Sequence, residues 1–227
     1  MELEIKPFSK GIFTLDASLA RNPIGRRMTI IQLLDGGLAL HSPIYLEGEV
    51  ESSLEELGNV EYILVSNKWH TLDTKKVHDQ YPQAKILVPS ELKDKLSEKF
   101  SIGGTYEKDW AKPISDEIDI HSIGGLKKPE VALFHKVSKT LIVADLFFNF
   151  SKNDFSGVTT FLMSLNHATA FGVTRFYQWS MIKNKAAFKV SIQEMIEKWD
   201  INKIIMGHGS VVKKNGADLI RTALETF

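Results

Sequence analysis

Short apolar runs that end in polar side chains are the feature that most constrains how this chain can fold. Three of these runs occupy residues 62–65 (YILV), 140–144 (TLIVA) and 203–206 (KIIM). Runs of this length, bounded by turn residues, are typical of strands that are buried on both faces. Such strands need other layers above and below them, so the sequence predicts mixed α/β architecture with sheets flanked by helices.

The remaining patterns extend this prediction to the whole chain. Further strands are expected at residues 11–16, 28–34, 37–42, 84–89, 117–123 and 130–135. Helices are expected at residues 50–58, 74–81, 91–100, 186–199 and from about 215 to the end. Because no linker, repeat or low-complexity stretch interrupts the pattern, residues 1–227 are predicted to form a single domain.

Composition excludes several classes of partner and of chemistry. Lysine plus arginine equals aspartate plus glutamate at 28 each, so no net charge favours nucleic acid or an anionic membrane. The chain has no cysteine, which excludes disulfides, thiolate metal sites and a cysteine nucleophile. No signal peptide pattern or membrane-spanning apolar run is present, so a cytoplasmic protein is expected.

Polar side chains follow three of the expected strands. The segment from Asn67 to His70 follows the first run, Asp145 follows the second, and His208 follows the third between two glycines. In layered α/β proteins, ligand groups collect at the carboxyl ends of strands. Two imidazoles and a carboxylate suit one zinc, iron or manganese ion, so His70, Asp145 and His208 are predicted metal ligands.

Each of these side chains also has a purely structural interpretation. Asp145 would then cap the following turn or pair with a lysine or arginine, because a lone buried carboxylate is costly. His208 would hydrogen-bond its own loop. His70 is next to Trp69, and alternation in an extended segment directs one of the two away from the site. No phosphate loop or G-x-S-x-G elbow is present, so no catalytic residue is assigned.

The order of these segments resembles the metallo-β-lactamase superfamily. "LIVADLFF" (141–148) is similar to the segment that carries the superfamily's metal-bridging aspartate, and "IIMGHGS" (204–210) is similar to its last strand and histidine. The stretches 26–44, 67–70, 81–89 and 197–209 look like a branch labelled as metal-dependent hydrolases without an agreed reaction. The resemblance implies a four-layer αββα sandwich, of α+β (α/β) class.

The chain departs from the superfamily where the other metal ligands would be. Aligning "NKWHTL" (67–72) with H-x-H-x-D-H replaces the first two histidines by Asn67 and Trp69. A shift of one residue places His70 on the second histidine and Asp73 on the last, so Asn67 and Asp73 remain candidate ligand-binding residues. Leu126 stands at the later histidine. At most one metal ion is therefore expected.

Two further positions depart from the same pattern. Ser42 stands where the superfamily has an early aspartate. Asn184 stands where the narrower branch has an aspartate. The resemblance therefore implies that the roles of these two carboxylates are lost or altered here.

Three hypotheses follow for function. The first is a hydrolase with one metal ion and an unknown small-molecule substrate. The second is a metal-free, non-catalytic protein that binds a ligand or protein partner in the old cleft. The third is a metal-free enzyme with His70 or His208 as general base. The aromatic-rich segment 150–185 is interpreted as a helical packing layer or a homodimer face in preference to a substrate pocket.

Overall fold

The computed structural model describes residues 3–19, 22–225 and 227, and in these residues the strands form two sheets. The strands are β1 Lys6–Ser9, β2 Ile12–Leu19, β3 Asn22–Gln32, β4 Leu38–His41, β5 Val60–Leu64, β6 Lys85–Val88, β7 Gly104–Thr105, β8 Ile118–Ser122, β9 Val131–His135, β10 Thr140–Val143 and β11 Lys203–Met206. The helices are α1 Glu49–Glu55, α2 Thr74–Gln80, α3 Lys93–Ser97, α4 Tyr106–Asp109, α5 Ile114–Glu117, α6 Gly157–Leu165, α7 Arg175–Met181, α8 Lys185–Lys198 and α9 Gly216–Glu225.

The larger sheet contains β1 to β7 in chain order, and the smaller one has the order β11-β10-β9-β8. In the larger sheet, β1 to β4 pair antiparallel, whereas β4 to β7 pair parallel. In the smaller sheet, β10 and β11 are parallel to each other and the remaining pairs are antiparallel. Parallel neighbours carry their carboxyl ends to the same edge of a sheet, which places the ends of β10 and β11 side by side.

Three apolar cores lie between the layers of the fold. One core packs the larger sheet against α1, α2 and α3, and a second fills the space between the two sheets. The third packs the smaller sheet against α7, α8 and α9. The order helix, sheet, sheet, helix confirms the predicted αββα sandwich. That residues 1–227 form one domain stays a prediction.

Alternation along the short apolar strands explains why they have no polar face. In β10, Leu141 and Val143 pack on the helix side while Ile142 faces the other sheet. In β11, Ile204 and Met206 likewise face the helices. Both faces of these strands are covered, so apolar side chains stabilise the fold at every position.

Backbone hydrogen bonds join the two sheets at the edge where these strands end. Arg27 N–H of β3 donates to Gly207 O, just after β11, at 2.8 Å. Val131 N–H of β9 donates to Ser66 O, just after β5, at 3.1 Å. The segments that follow β5 and β11 are therefore held in place by the opposite sheet.

Most predicted elements are confirmed, with one change in the helices. The turn at Asp35 connects β3 to β4, and the Asp35 side chain accepts a hydrogen bond from Gly37 N at 3.1 Å. The single helix expected over residues 91–100 is instead a 3-10 turn, Ser90–Leu92, followed by α3. Across residues 3–19, 22–225 and 227, no helix has both the length and the apolar character that crossing a bilayer requires.

Buried His41, at the end of β4, predicts a pH dependence of stability. Burial, reinforced by the charge of His70, lowers the pKa of His41 to about 3, and its Nε2 lies 2.8 Å from Ser66 Oγ. Below the unfolded-state pKa of roughly 6.5, the unfolded chain binds a proton at this residue that the folded chain does not. The free energy of unfolding therefore falls by about 2 kcal/mol between pH 6.5 and pH 5 because of this residue.

We expect His41→Gln to remove that part of the pH dependence. Denaturant unfolding of the wild type and the variant at several pH values between 5 and 7 measures the difference. The other titrating groups are present in both proteins, so the difference between their pH profiles reports His41. Parallel pH profiles for the wild type and the variant would contradict the assignment.

Candidate metal and substrate site

Three strand ends meet at the edge where the two sheets are joined. His70 lies beyond β5 of the larger sheet, while Asp145 and His208 lie beyond β10 and β11 of the smaller sheet. The short strands are buried on both faces, so the first free polar side chains come where the backbone leaves the sheet. The structure brings together the three residues that the sequence predicted as metal ligands.

Asp145 Oδ1 lies between the two imidazoles. It is 3.2 Å from His70 Nε2 and 3.4 Å from His208 Nε2. One ligand atom from each of the three residues lies within 4.8 Å of the others. Among the described residues, no lysine or arginine forms an ion pair with Asp145, so the cationic partner of the structural interpretation is not found there.

Asn67 fixes the orientation of the carboxylate. Its Nδ2 donates to Asp145 Oδ2 at 2.8 Å, which leaves Oδ1 directed at the imidazoles. Its Oδ1 accepts from Trp69 N and His70 N at 2.9 and 3.1 Å. This turn buries most of the His70 side chain and leaves Trp69 partly exposed. The segment is a turn and not the extended segment that the alternation argument assumed, and both side chains line the same cavity. Asn67 thus positions Asp145 and the His70 loop at once.

A hydrogen bond to the larger sheet fixes the tautomer of His208. Its Nδ1 lies 2.7 Å from Gly25 O, and a carbonyl can only accept, so Nδ1 carries the hydrogen. The partner is in β3, not in the histidine's own loop, and the Phe148 ring stacks on the imidazole at an interplanar angle of 3°. In the neutral ring, Nε2 then presents a lone pair toward the Asp145 carboxylate.

Electrostatics favour a charged pair at the centre. Burial opposes ionisation of Asp145, but the two adjacent imidazoles, above all the charge of His70, hold the pKa of its carboxyl far below the usual range. Burial also lowers the pKa of His70, and the charge of Asp145 and its hydrogen bond outweigh this and raise it overall. A carboxylate facing two imidazoles favours a positive charge between them.

The donor set fits a metal ion. Zinc bonds to nitrogen and oxygen are about 2.0–2.1 Å long, so tetrahedral ligand atoms lie roughly 3.3 Å apart. The two imidazole-to-carboxylate distances of 3.2 and 3.4 Å match this spacing. A second hydrogen bond that fixes each ligand's orientation, such as His208 to Gly25, is typical of metal-binding histidines.

Glu130 and Tyr177 support the site, and sequence reasoning missed both. Glu130 Oε1 accepts from Asp145 N and Leu146 N at 2.9 and 3.0 Å, and Tyr177 OH donates to Glu130 Oε2 at 2.9 Å. Burial and the charge of Asp145 raise the pKa of Glu130 to about 7. The available signal was a glutamate directly before the apolar strand "VALF", which is costly to bury without partners.

Gly207 lies against the His70 ring. A Cβ atom at this position would overlap His70 Cε1 and would lie 2.9 Å from Ala144 O. Only a residue without a side chain allows the strand end that carries His208 to approach the loop that carries His70. This glycine therefore sets the separation of the two imidazoles.

The other candidate positions have structural partners. Asp73 is outside the trio, and its Oδ2 accepts from Arg26 Nη2 at 2.6 Å and from Tyr45 N at 3.1 Å. Its role as a ligand-binding residue, like that of Asn67, stays a prediction. Leu126 packs against the helix-side core, and Asn184 caps α8 by accepting from Ala187 N at 3.1 Å.

A cavity of about 620 Å³ opens above the trio. Its floor includes Asp145, His70, His208 and Ser42, and part of its wall comes from α6 and α7. The aromatic-rich segment 150–185, interpreted from the sequence as a packing layer or dimer face, thus covers one side of the cavity. The volume is in the range of small-molecule sites.

Comparison with protein families identifies the group to which the chain belongs. The family model described as "Domain of unknown function (DUF4336)" matches residues 12–169, well over half of the chain. The chain belongs to the DUF4336 family. The matched region of this DUF4336 chain contains His70 and Asp145, whereas His208 lies beyond it. No curated protein matches the chain.

Solved structures show that the DUF4336 chain has the metallo-β-lactamase fold. DIM-1 metallo-β-lactamase is 16% identical, with a TM-score of 0.67 over 100% of this chain and 98% of that chain. A metallo-β-lactamase from Pontibacter korlensis is 11% identical, with a TM-score of 0.67 over 100% of both chains. A diflavin flavoprotein fragment from Nostoc sp. PCC 7120 is 12% identical, with a TM-score of 0.65 over 99% of this chain and 96% of that chain.

Replacing Gly207 by alanine is expected to displace the His70 ring. The added methyl group overpacks the site, so we expect a loss of about 1–3 kcal/mol in the free energy of unfolding. Denaturant unfolding measures this loss, and the imidazole NMR signals of His70 and His208 report the displacement. Gly172→Ala is the matched control, because its nearest contact would be Ala223 Cβ at 3.8 Å. Equal effects of the two substitutions would contradict the role of Gly207.

Removing the Tyr177 hydroxyl is expected to destabilise the protein. Tyr177→Phe leaves a buried Glu130 oxygen without its donor, at a cost of about 1–3 kcal/mol. Tyr81→Phe is the control, because the buried Tyr81 hydroxyl has no hydrogen-bond partner within the described part of the chain. Thermal and denaturant unfolding compare the two. A loss in Tyr81→Phe as large as in Tyr177→Phe would argue against the Glu130 contact.

Proposed function

We propose that this protein is a metal-dependent hydrolase with one metal ion, held by His70, Asp145 and His208. The observation that carries the proposal is the tautomer of His208. Its Nδ1 hydrogen donates to Gly25 O, so the lone pair of the neutral ring at Nε2 faces Asp145 Oδ1 at 3.4 Å. Two acceptors facing each other repel unless a positive centre, either a proton or a metal ion, lies between them. A metal ion is the centre that all three donors of the trio can share.

The ligand set supports a catalytic type of site. Structural zinc sites have four protein ligands, whereas catalytic sites keep three and an open position. The trio supplies three donors below an open cavity. When bound, the ion supplies Lewis acidity and lowers the pKa of a water molecule.

The chain's own residues have separate tasks in this proposal. Asn67 holds the second oxygen of Asp145, so that the first is directed at the imidazoles. Glu130 holds the backbone at Asp145 by accepting hydrogen bonds from the amides of Asp145 and Leu146. The apolar wall of the cavity limits the access of bulk water to the reacting groups.

Metal analysis of untagged protein purified without chelator tests the proposal. We expect close to one equivalent of zinc, iron or manganese per chain, reduced at least tenfold in His208→Ala. His78→Ala is the control, because His78 lies in the last turn of α2 and not in the trio. An ester hydrolysis assay with and without EDTA accompanies it.

Two outcomes would support the alternatives. Trace metal in the wild-type protein, with no hydrolysis, would overturn the proposal in favour of a metal-free binding protein. Hydrolysis that depends on His208 but survives EDTA would favour an enzyme that uses the imidazole as general base.

A further inference from the structure

The wall of the cavity above the trio is mainly apolar. Large apolar side chains surround the polar floor, among them Ile24, Trp69, Leu72, Phe148, Met163 and Phe176. Such a lining, with a few polar groups at one end, is typical of sites that bind a mainly apolar molecule in one orientation.

The arginines of the cavity already have carboxylate partners. Among its described lining residues, the arginines are Arg26 and Arg27. Arg26 Nη2 lies 2.6 Å from Asp73 Oδ2, and Arg27 Nε lies 2.8 Å from Asp16 Oδ1. These two arginines therefore add little to the attraction that a cation held by the trio would exert on an anionic substrate.

Three side chains of the rim are exposed although they are large and apolar. Their exposed fractions are 47% for Trp69, 69% for Leu72 and 64% for Phe176. Trp69 and Leu72 come from the His70 loop, whereas Phe176 comes from α7, and all three line the cavity. An apolar chain that lies against them would remove this surface from water, which is favourable in proportion to its area.

We propose that the cavity binds an uncharged carboxylic ester with a medium-length apolar acyl chain. The acyl chain lies against Trp69, Leu72 and Phe176, and the ester carbonyl faces the trio. The cleavage of this ester rests on the proposed function, whereas the binding of its chain does not.

The reaction is a simple hydrolysis. The water oxygen bonds to the carbonyl carbon, and the bond from that carbon to the ester oxygen breaks. The alcohol leaves with one proton of the water, and the carboxylic acid releases the other to solvent as it ionises.

A series of p-nitrophenyl esters from acetate to dodecanoate tests the chain preference. We expect kcat/KM to rise by up to about fourfold for each methylene group that is buried, and to level off once the cavity is filled. Leu72→Asn is expected to reduce the ratio of decanoate to acetate activity at least threefold. The matched control is Leu34→Asn, because Leu34 is 83% exposed and does not line the cavity.

A second measurement separates the binding of the chain from catalysis. Methyl ketones from 2-butanone to 2-dodecanone resemble the esters but cannot be hydrolysed, and calorimetry measures their binding to the protein as purified, with or without bound metal. The inference is supported if affinity for the ketones rises with chain length, and if it falls in Leu72→Asn but not in Leu34→Asn. This holds even if no ester is cleaved. In that case the proposed function alone fails.

Two results would overturn the inference. The first is EDTA-sensitive hydrolysis that either does not depend on the length of the acyl chain or is faster with bis(p-nitrophenyl) phosphate. This result would leave the proposed function intact. The second is no ketone binding together with a dimer, seen by light scattering, that Phe176→Ser dissociates. The rim would then be a contact between two copies of the chain.

Discussion

The burial of one carboxylate, that of Asp145, is the constraint on which the rest of the site depends. An ionised carboxylate at the junction of two apolar sheets is stable only if its oxygens and the adjoining backbone have partners. Asn67 and His70 satisfy the oxygens, Glu130 satisfies the backbone amide, and His208 lies beside the carboxylate. These four residues come from three separate segments of the chain, so the carboxylate fixes how these segments meet.

The sequence predicted the parts of this arrangement that follow from local patterns. Short apolar strands give a clear signal, and the polar residues that follow β5, β10 and β11 identified the trio. Glu130 and the carbonyl of Gly25 were not predictable in the same way. Their roles arise from contacts between segments far apart in the chain, and a carbonyl has no signature in a sequence. The contribution of α6 and α7 to the cavity was not predicted for the same reason, because only the fold places these helices beside the trio.

The departures from the superfamily pattern have a consistent physical consequence. Asn67 stands where the first histidine would be, and it binds the aspartate through an amide. Leu126, at the position of another lost ligand, packs into the core on the helix side. The structure thus has a hydrogen-bond donor and an apolar contact at two positions where the resemblance would place metal ligands.

The contact between Gly207 and the His70 ring also bears on how the protein folds. Gly207 belongs to the smaller sheet and His70 to a loop of the larger one, so the two meet only after the sheets have docked. Contacts between such distant parts of a chain form late and slow the search for the native state. An ion bound at the trio would bind the docked state alone, and would stabilise that state by mass action. Metal binding at the trio and docking of the two sheets are therefore expected to be thermodynamically linked.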